Sequence, residues 1–272
     1  MSRASRSGTP RAPGWQRALV TGASGGIGEV MARQLAARGC HLVLVARTRT
    51  ALETLADELS AAHGVEVEVL PADLITEDGV AAVEARLGAE GGPPVDLLIN
   101  NAGYGTAGQF ALLDPDRLAG EVRLNVLALV RLTRAAVPGM VDRGGGAVLN
   151  VSSVASLQPI PNMATYAATK AFVTSFSESL HEELRPRGVT VTALLPGFTR
   201  TGFKARSGLE HSGIPDFAWV DAGRVAEAGL AATAAGRALC IPGLAWKAVS
   251  ALTRPLPRSL VRRVMGAGQH TW

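Results

Sequence analysis

From Arg17 onward, short β-branched or leucine-rich runs alternate with longer amphipathic stretches, and the alternation persists until the last thirty residues. The short runs are RALVT (17–21), HLVLVA (41–46), VEVEVLP (65–71), VDLLIN (95–100), GAVLNVS (146–152), VTVTALLP (189–196) and ALCIP (238–242), each a strand candidate. The stretches between them carry helical periodicity and begin near Ile27, Arg49, Thr76, Asp116, Met163 and Asp221. Strands apolar on both faces and separated by helices belong in a parallel sheet covered on both sides, with right-handed crossovers. The pattern therefore predicts an α/β fold: a doubly wound parallel sheet of about seven strands with helices on both faces. Its ligand belongs at the carboxyl ends of the strands. At 272 residues the chain fits one such domain over 17–242. A disordered tail (1–16) is expected before it and a basic amphipathic extension (243–272) after it.

Immediately after the first run comes TGASGGIG, Thr21 to Gly28, and then a helix. Glycines at 22, 26 and 28 let the backbone turn tightly against a pyrophosphate, while the positive end of the helix faces the phosphates. Glycine-rich turns also arise for packing alone, so the cluster gains force from the strand before it and the helix after it. Gly22, Ser24, Gly25, Gly26, Ile27 and Gly28 are the phosphate-side candidates of a Rossmann-like dinucleotide site.

The spacing TGxxxGxG is joined, in order, by NNAG (Asn100 to Gly103), Asn125 in LNV, NVSS ending at Ser153, YAATK (Tyr166 to Lys170) and PG (Pro196, Gly197). With these the chain resembles the short-chain dehydrogenase/reductase family over about 17–241. The resemblance implies a nicotinamide dinucleotide cofactor. Asn101, Ala102, Gly103, Pro196, Gly197 and Thr199 are then further cofactor contacts, and Asp73 and Leu74 resemble the family's adenine-contacting pair. A plain turn acid is the alternative for Asp73. At the end of the second run, Ala46 stands where an acid would hold the ribose hydroxyls of NAD, and Arg47 follows. Without a carboxylate there, Arg47 can pair with a ribose phosphate, which predicts NADP(H) over NAD; Arg49 is a second candidate for the same contact.

Tyr166 is one of two tyrosines in the chain, and Lys170 follows it by four residues, one turn along the same helix face. A phenol titrates near ~10, so a tyrosine working as acid and base near neutrality needs a neighbouring cation. Lys170 supplies it. Ser153 stands 13 residues before Tyr166, the family's spacing, and its hydroxyl can bind the substrate oxygen. Ser152 should point to the opposite face. Asn125 resembles the family's asparagine that holds a water near the lysine. The catalytic set is thus Asn125, Ser153, Tyr166 and Lys170, with Ser153 and Tyr166 also binding substrate. It implies hydride transfer from the cofactor to a carbonyl carbon, with Tyr166 protonating the alkoxide. A non-catalytic NADP(H) sensor on the same fold is the alternative function, but it has no need of all four residues.

The loop 198–220 occupies the place of the family's variable substrate lid. Its Phe203, Phe217 and Trp219, with Tyr104, Leu157 and Ile160, suggest an apolar pocket for a hydrophobic ketone or aldehyde. The pI near 9.6 raises the question of nucleic acid. The basic excess lies at the ends: four arginines in 1–17 and six basic residues in 228–272, with no acid in either, leaving −6 for the remainder. With 4% aromatic residues, nucleic-acid binding is not supported. The two cysteines and five histidines show no metal spacing. No apolar run of about 20 residues suggests a membrane span, and the start lacks a secretion signal, so a cytoplasmic setting is expected. Leu244, Val249, Leu252, Leu260, Val261 and Val264 beside five basic residues could lay the extension on an anionic membrane, or pack it on the cleft or another subunit. The resemblance also implies homodimers or homotetramers through the helices near 117–142 and 163–186.

Overall fold

The computed structural model describes residues 14–88, 90–199 and 219–253, together with residue 263. Seven strands form one parallel sheet: β1 Arg17–Thr21, β2 His41–Ala46, β3 Val67–Pro71, β4 Leu97–Asn100, β5 Gly146–Val151, β6 Val189–Leu194 and β9 Leu239–Cys240. Their order is β3-β2-β1-β4-β5-β6-β9. A two-residue parallel ladder outside that sheet joins β7 Phe198–Thr199 to β8 Trp219–Val220. The helices are α1 Gly26–Ala36, α2 Arg49–His63, α3 Glu77–Leu87, α4 Pro115–Val122, α5 Leu129–Asp142, α6 Ala164–Leu184, α7 Ala222–Ala234 and α8 Leu244–Thr253.

Period-two alternation in strands that are apolar throughout explains the two cores. Val20, Leu44, Ile99 and Leu149 face α1, α2 and α7, where Met31, Leu35, Leu52, Leu59 and Leu230 are buried. The intervening Leu19, Val43, Leu98 and Val148 face the other layer, with Val83 of α3, Leu132 and Met140 of α5 and Leu184 of α6. Because β1 lies between β2 and β4, the chain winds away from it in both directions. The crevice at that switch point is where such sheets take a ligand.

Thr76 and Asp221 cap α3 and α7 rather than start them, each side chain accepting a main-chain amide three residues on. One expectation is corrected. Residues Pro115–Asp142 run as a continuous 28-residue helical stretch with a mean hydropathy of 1.3 over its most apolar window, long and apolar enough to cross a membrane by length and composition. Its leucines, valines and alanines serve a different purpose here: Ala128, Leu132, Ala136 and Met140 pack on the sheet. Within it, Arg123–Ala128 forms a π-helical segment, a local widening that periodicity did not predict. Most of the expected lid, including Phe203 and Phe217, lies outside the described residues, as do the 1–13 tail and nearly all of 254–272.

Candidate active site

The loop after β1 is held from below by the loop after β4. The Thr21 hydroxyl accepts the main-chain amides of Asn101 and Ala102 at 2.9 and 3.0 Å and donates to the Ile99 carbonyl. The Asn101 side chain donates to the carbonyls of Thr21 and Gly22. A Cβ on Gly28 would stand 2.3 Å from that Asn101 amide nitrogen, and Gly22 has a φ of +67° with the same side chain 2.8 Å from where its Cβ would be. Asn101 is therefore a staple between the two loops.

Gly25 differs: a Cβ there would meet nothing within 4 Å. As the N-cap of α1 it offers no side chain to the helix amides, and exposed Ser24 forms the tip beside it. Open space in front of uncapped amides at a helix N-terminus fits a pyrophosphate. Ile27 packs back on the core.

Farther along the crevice, Arg47 is exposed at the end of β2 and makes no ion pair among the described residues, whereas Arg49 pairs with Glu53 at 3.6 Å. No acid occupies the first turn of α2. Leu74 is buried, and the Asp73 carboxylate accepts the Ile75 amide, so its first duty is to close its own turn.

At the reacting end, β5 delivers Ser152 and Ser153 to opposite sides. The Ser152 hydroxyl donates to the Lys170 carbonyl at 2.8 Å and meets the Thr174 hydroxyl at 2.7 Å, which clamps α6 to the sheet. Ser153 accepts the Ala155 amide, capping the 3-10 turn Val154–Leu157, and its hydroxyl bonds the Tyr166 phenol. Lys170 donates to the Val151 carbonyl at 2.8 Å, with its ammonium 5.8 Å from the centre of the Tyr166 ring. Both side chains are buried. Burial pushes the phenol up to about 12, against the Ser153 hydrogen bond that lowers it, and the nearby Glu121 adds to the rise. Burial also pulls the Lys170 ammonium down to about 8, while Glu121 raises it.

Asn125, brought inward by the π segment, is fully occupied. Its amide donates to the Tyr104 carbonyl and the Thr169 hydroxyl, and its oxygen accepts the Tyr104 amide. A Cβ on Gly103 would come 2.9 Å from the Asn125 oxygen and 3.5 Å from the Lys170 nitrogen. What the Asn125 side chain does directly is fix the 103–104 loop against α6, leaving Gly103 as the floor beside the lysine.

The Pro196 carbonyl accepts the Val154 amide, and the Thr199 hydroxyl donates to the Gly197 carbonyl. Gly197 is covered by Trp246 of α8, whose indole nitrogen is 2.1 Å from where a Cβ would stand. Phe198 packs on Trp219 and Trp246 with ring centres 5.6 and 5.4 Å apart. Sequence reasoning named Trp219 for the pocket but missed Trp246. The Tyr104 hydroxyl donates to the Arg117 carbonyl and lies 2.7 Å from a Cβ built on Gly120, beside Ile75, which holds the ring against α4.

A sequence profile described as short chain dehydrogenase matches residues 16–211. The very-long-chain 3-oxoacyl-CoA reductase of Bos taurus is 37% identical over 188 residues, which cover 68% of this chain and 59% of that protein. The chain thus spans less than two thirds of the length of the curated relatives it matches. Among solved structures, a short-chain dehydrogenase from Sphingobium yanoikuyae in complex with NADPH is 37% identical, with a TM-score of 0.80 and coverage of 89% of this chain and 97% of its own. The bulky-bulky ketone specific alcohol dehydrogenase from Comamonas testosteroni is 33% identical, with a TM-score of 0.76 and coverage of 90% and 96%.

Proposed function

The chain belongs to the short-chain dehydrogenase family, and on that premise we propose that it is an NADP(H)-dependent reductase of bulky, apolar ketones or aldehydes that interconverts the carbonyl and its alcohol. The observation that carries this reading is the grouping of buried Tyr166 and Lys170 with half-buried Ser153 at the carboxyl end of β5, with Gly103 and Asn125 beside it. The bound dinucleotide supplies the hydride. Ser153 and Tyr166 hold the substrate oxygen, and Tyr166, whose phenol keeps its proton across the neutral range, donates it as charge develops there. The Lys170 ammonium stabilises the phenolate that results. Exposed Arg47 favours the ribose phosphate of NADP(H) over NAD(H). The aromatic cluster of Phe198, Trp219 and Trp246 favours a wide apolar substrate, as do the names of the Comamonas and Bos taurus relatives.

The other assignments carried from the sequence are a reducing, cytoplasmic setting, supported by two buried free thiols, Cys40 and Cys240, and self-association. Exposed Val122 and Leu127 near the α4–α5 junction and Phe172 on α6 favour the latter.

The test is NADPH and NADH oxidation with a panel of bulky ketones and aldehydes, beside Tyr166→Phe. The expected outcome is turnover preferring NADPH, reduced roughly 10²-fold or more in the variant, with NADPH binding retained. A fully active Tyr166→Phe overturns the mechanism. A wild type that binds NADPH tightly and turns over nothing favours the sensor.

A further inference from the structure

Glu121 on α4 is wholly buried, yet among the described residues neither carboxyl oxygen makes a well-formed hydrogen bond, and the Thr106 hydroxyl beside it is likewise without one. A carboxyl in such a place costs stability unless it has a charged counterpart or a task. The groups facing it come from three elements. Thr106, from the loop after β4, is close enough for its hydroxyl and amide to favour the carboxylate; Tyr104 stands in the same loop. Arg117 lies one turn back on α4, stacked on the Tyr104 ring 5.3 Å away. From α6 come Lys170 and Tyr166. Burial holds the Glu121 carboxyl above the ordinary carboxylate range, and among the charges opposing that, Lys170 outweighs Arg117.

We propose that Glu121 is a positioning residue for the reaction, the buried counter-charge of the Lys170 ammonium. The asymmetry around Lys170 carries this. Among the described residues its ammonium has a single hydrogen bond, to the Val151 carbonyl, and the side chain is buried. Glu121 is the one charge among the described residues that supports its protonated form. Because α4 places residue 121 about one turn before Asn125, the same helix that fixes the 103–104 loop also sets the charge state of the lysine. Lys170's duty toward Tyr166 rests on the proposed reductase reading, but the Glu121–Lys170 coupling can be tested without it.

The chain has three lysines, Lys170, Lys204 and Lys247, so a carbon-13 lysine label resolves each side chain by NMR, with Lys170→Arg assigning the signal. In the full-length apoprotein, Glu121→Gln should lower the Lys170 titration midpoint by about one pH unit, with Lys204 and Lys247 unmoved. An unchanged or raised Lys170 midpoint overturns the proposal. Should Glu121→Gln fail to fold, Lys170→Met tests the pair from the other side. Loss of the ammonium should bring up the infrared band of a protonated, buried carboxyl at neutral pH, and no gain of that band overturns the proposal equally. In turnover, Glu121→Gln should move the alkaline limb of kcat to lower pH and Glu121→Asp should restore part of it. A protein that turns over nothing but shows the lysine shift would fail the reductase reading and keep this one.

Discussion

At the scale of single residues, the site is expensive, and the expense is visible in how stability should vary with pH. Burial pulls the Lys170 ammonium down to about 8 in the fold from an ordinary 10.5. Between those values the unfolded chain binds the extra proton, so this group makes the apoprotein more stable as pH rises, by at most about 1.4 kcal/mol per unit. Tyr166 acts in the opposite sense above pH 10, where the folded phenol still holds its proton up to about 12. Urea unfolding of Glu121→Gln and of Glu121→Gln with Lys170→Met from pH 7.5 to 10 isolates the first effect: the difference in stability between the two should shift in favour of the protein that keeps the lysine. Parallel pH curves would mean that the lysine is less desolvated than its burial implies. Tyr166, Lys170 and Ser153 were legible because their roles depend on spacing along a helix and between two elements. Glu121 was not, since an acid between Gly120 and Val122 in an amphipathic helix reads as part of a solvated face. Only the approach of the 104–106 loop and α6 buries it.

At the scale of elements, β1 and β2 fall where their apolar runs do, because strands in the middle of a parallel sheet are apolar on both faces. Legibility fails at some strand starts and most at the edges: central β4 and edge β3 both begin two residues later than their runs, and edge β9 keeps only Leu239–Cys240. At an edge one side of the strand is unpaired and pairing, not composition, sets the length. The π segment was also invisible, as a one-residue widening leaves the apolar periodicity of a long helix nearly intact. The glycine loop separates two kinds of glycine that sequence alone treats alike. Gly28→Ala drives a methyl into the Asn101 amide and the Gly22 carbonyl, 2.3 and 2.6 Å away, and should cost about 1–3 kcal/mol while loosening the staple that shapes the crevice. Gly25→Ala projects into open space and its backbone is extended. It should leave the melting temperature within a degree or two, since an unstrained surface change is worth little, and still weaken NADPH binding. Melting curves and NADPH fluorescence titrations on the two variants check this. A Gly25→Ala protein with unaltered affinity would remove the phosphates from the α1 terminus.

At the scale of the whole molecule, the sheet positions the chemistry while the C-terminal part of the chain covers it. The end of β6 leads through Pro196 and Gly197 into Phe198, and Trp219 is tied to Phe198 by the β7–β8 ladder. α8 then crosses back so that Trp246 lies on Gly197 and edge-on to Phe198, while Leu244 and Leu252 stay exposed. The first helix of the basic extension thus touches the loop after β6 through Trp246. Trp246 thereby forms part of the wall nearest the loop expected to meet the nicotinamide. Replacing it by alanine removes an aromatic contact but none of the groups that hold the dinucleotide. For a bulky apolar ketone, Trp246→Ala should raise KM about tenfold, the equivalent of ~1.4 kcal/mol, and change NADPH affinity less than twofold. A small aliphatic aldehyde, which cannot reach the indole, should show little change in KM. Steady-state kinetics on the two substrates tell a specificity wall from a structural plug. If both KM values rise together with a fall in melting temperature, Trp246 holds the nicotinamide loop in shape and does not read the substrate.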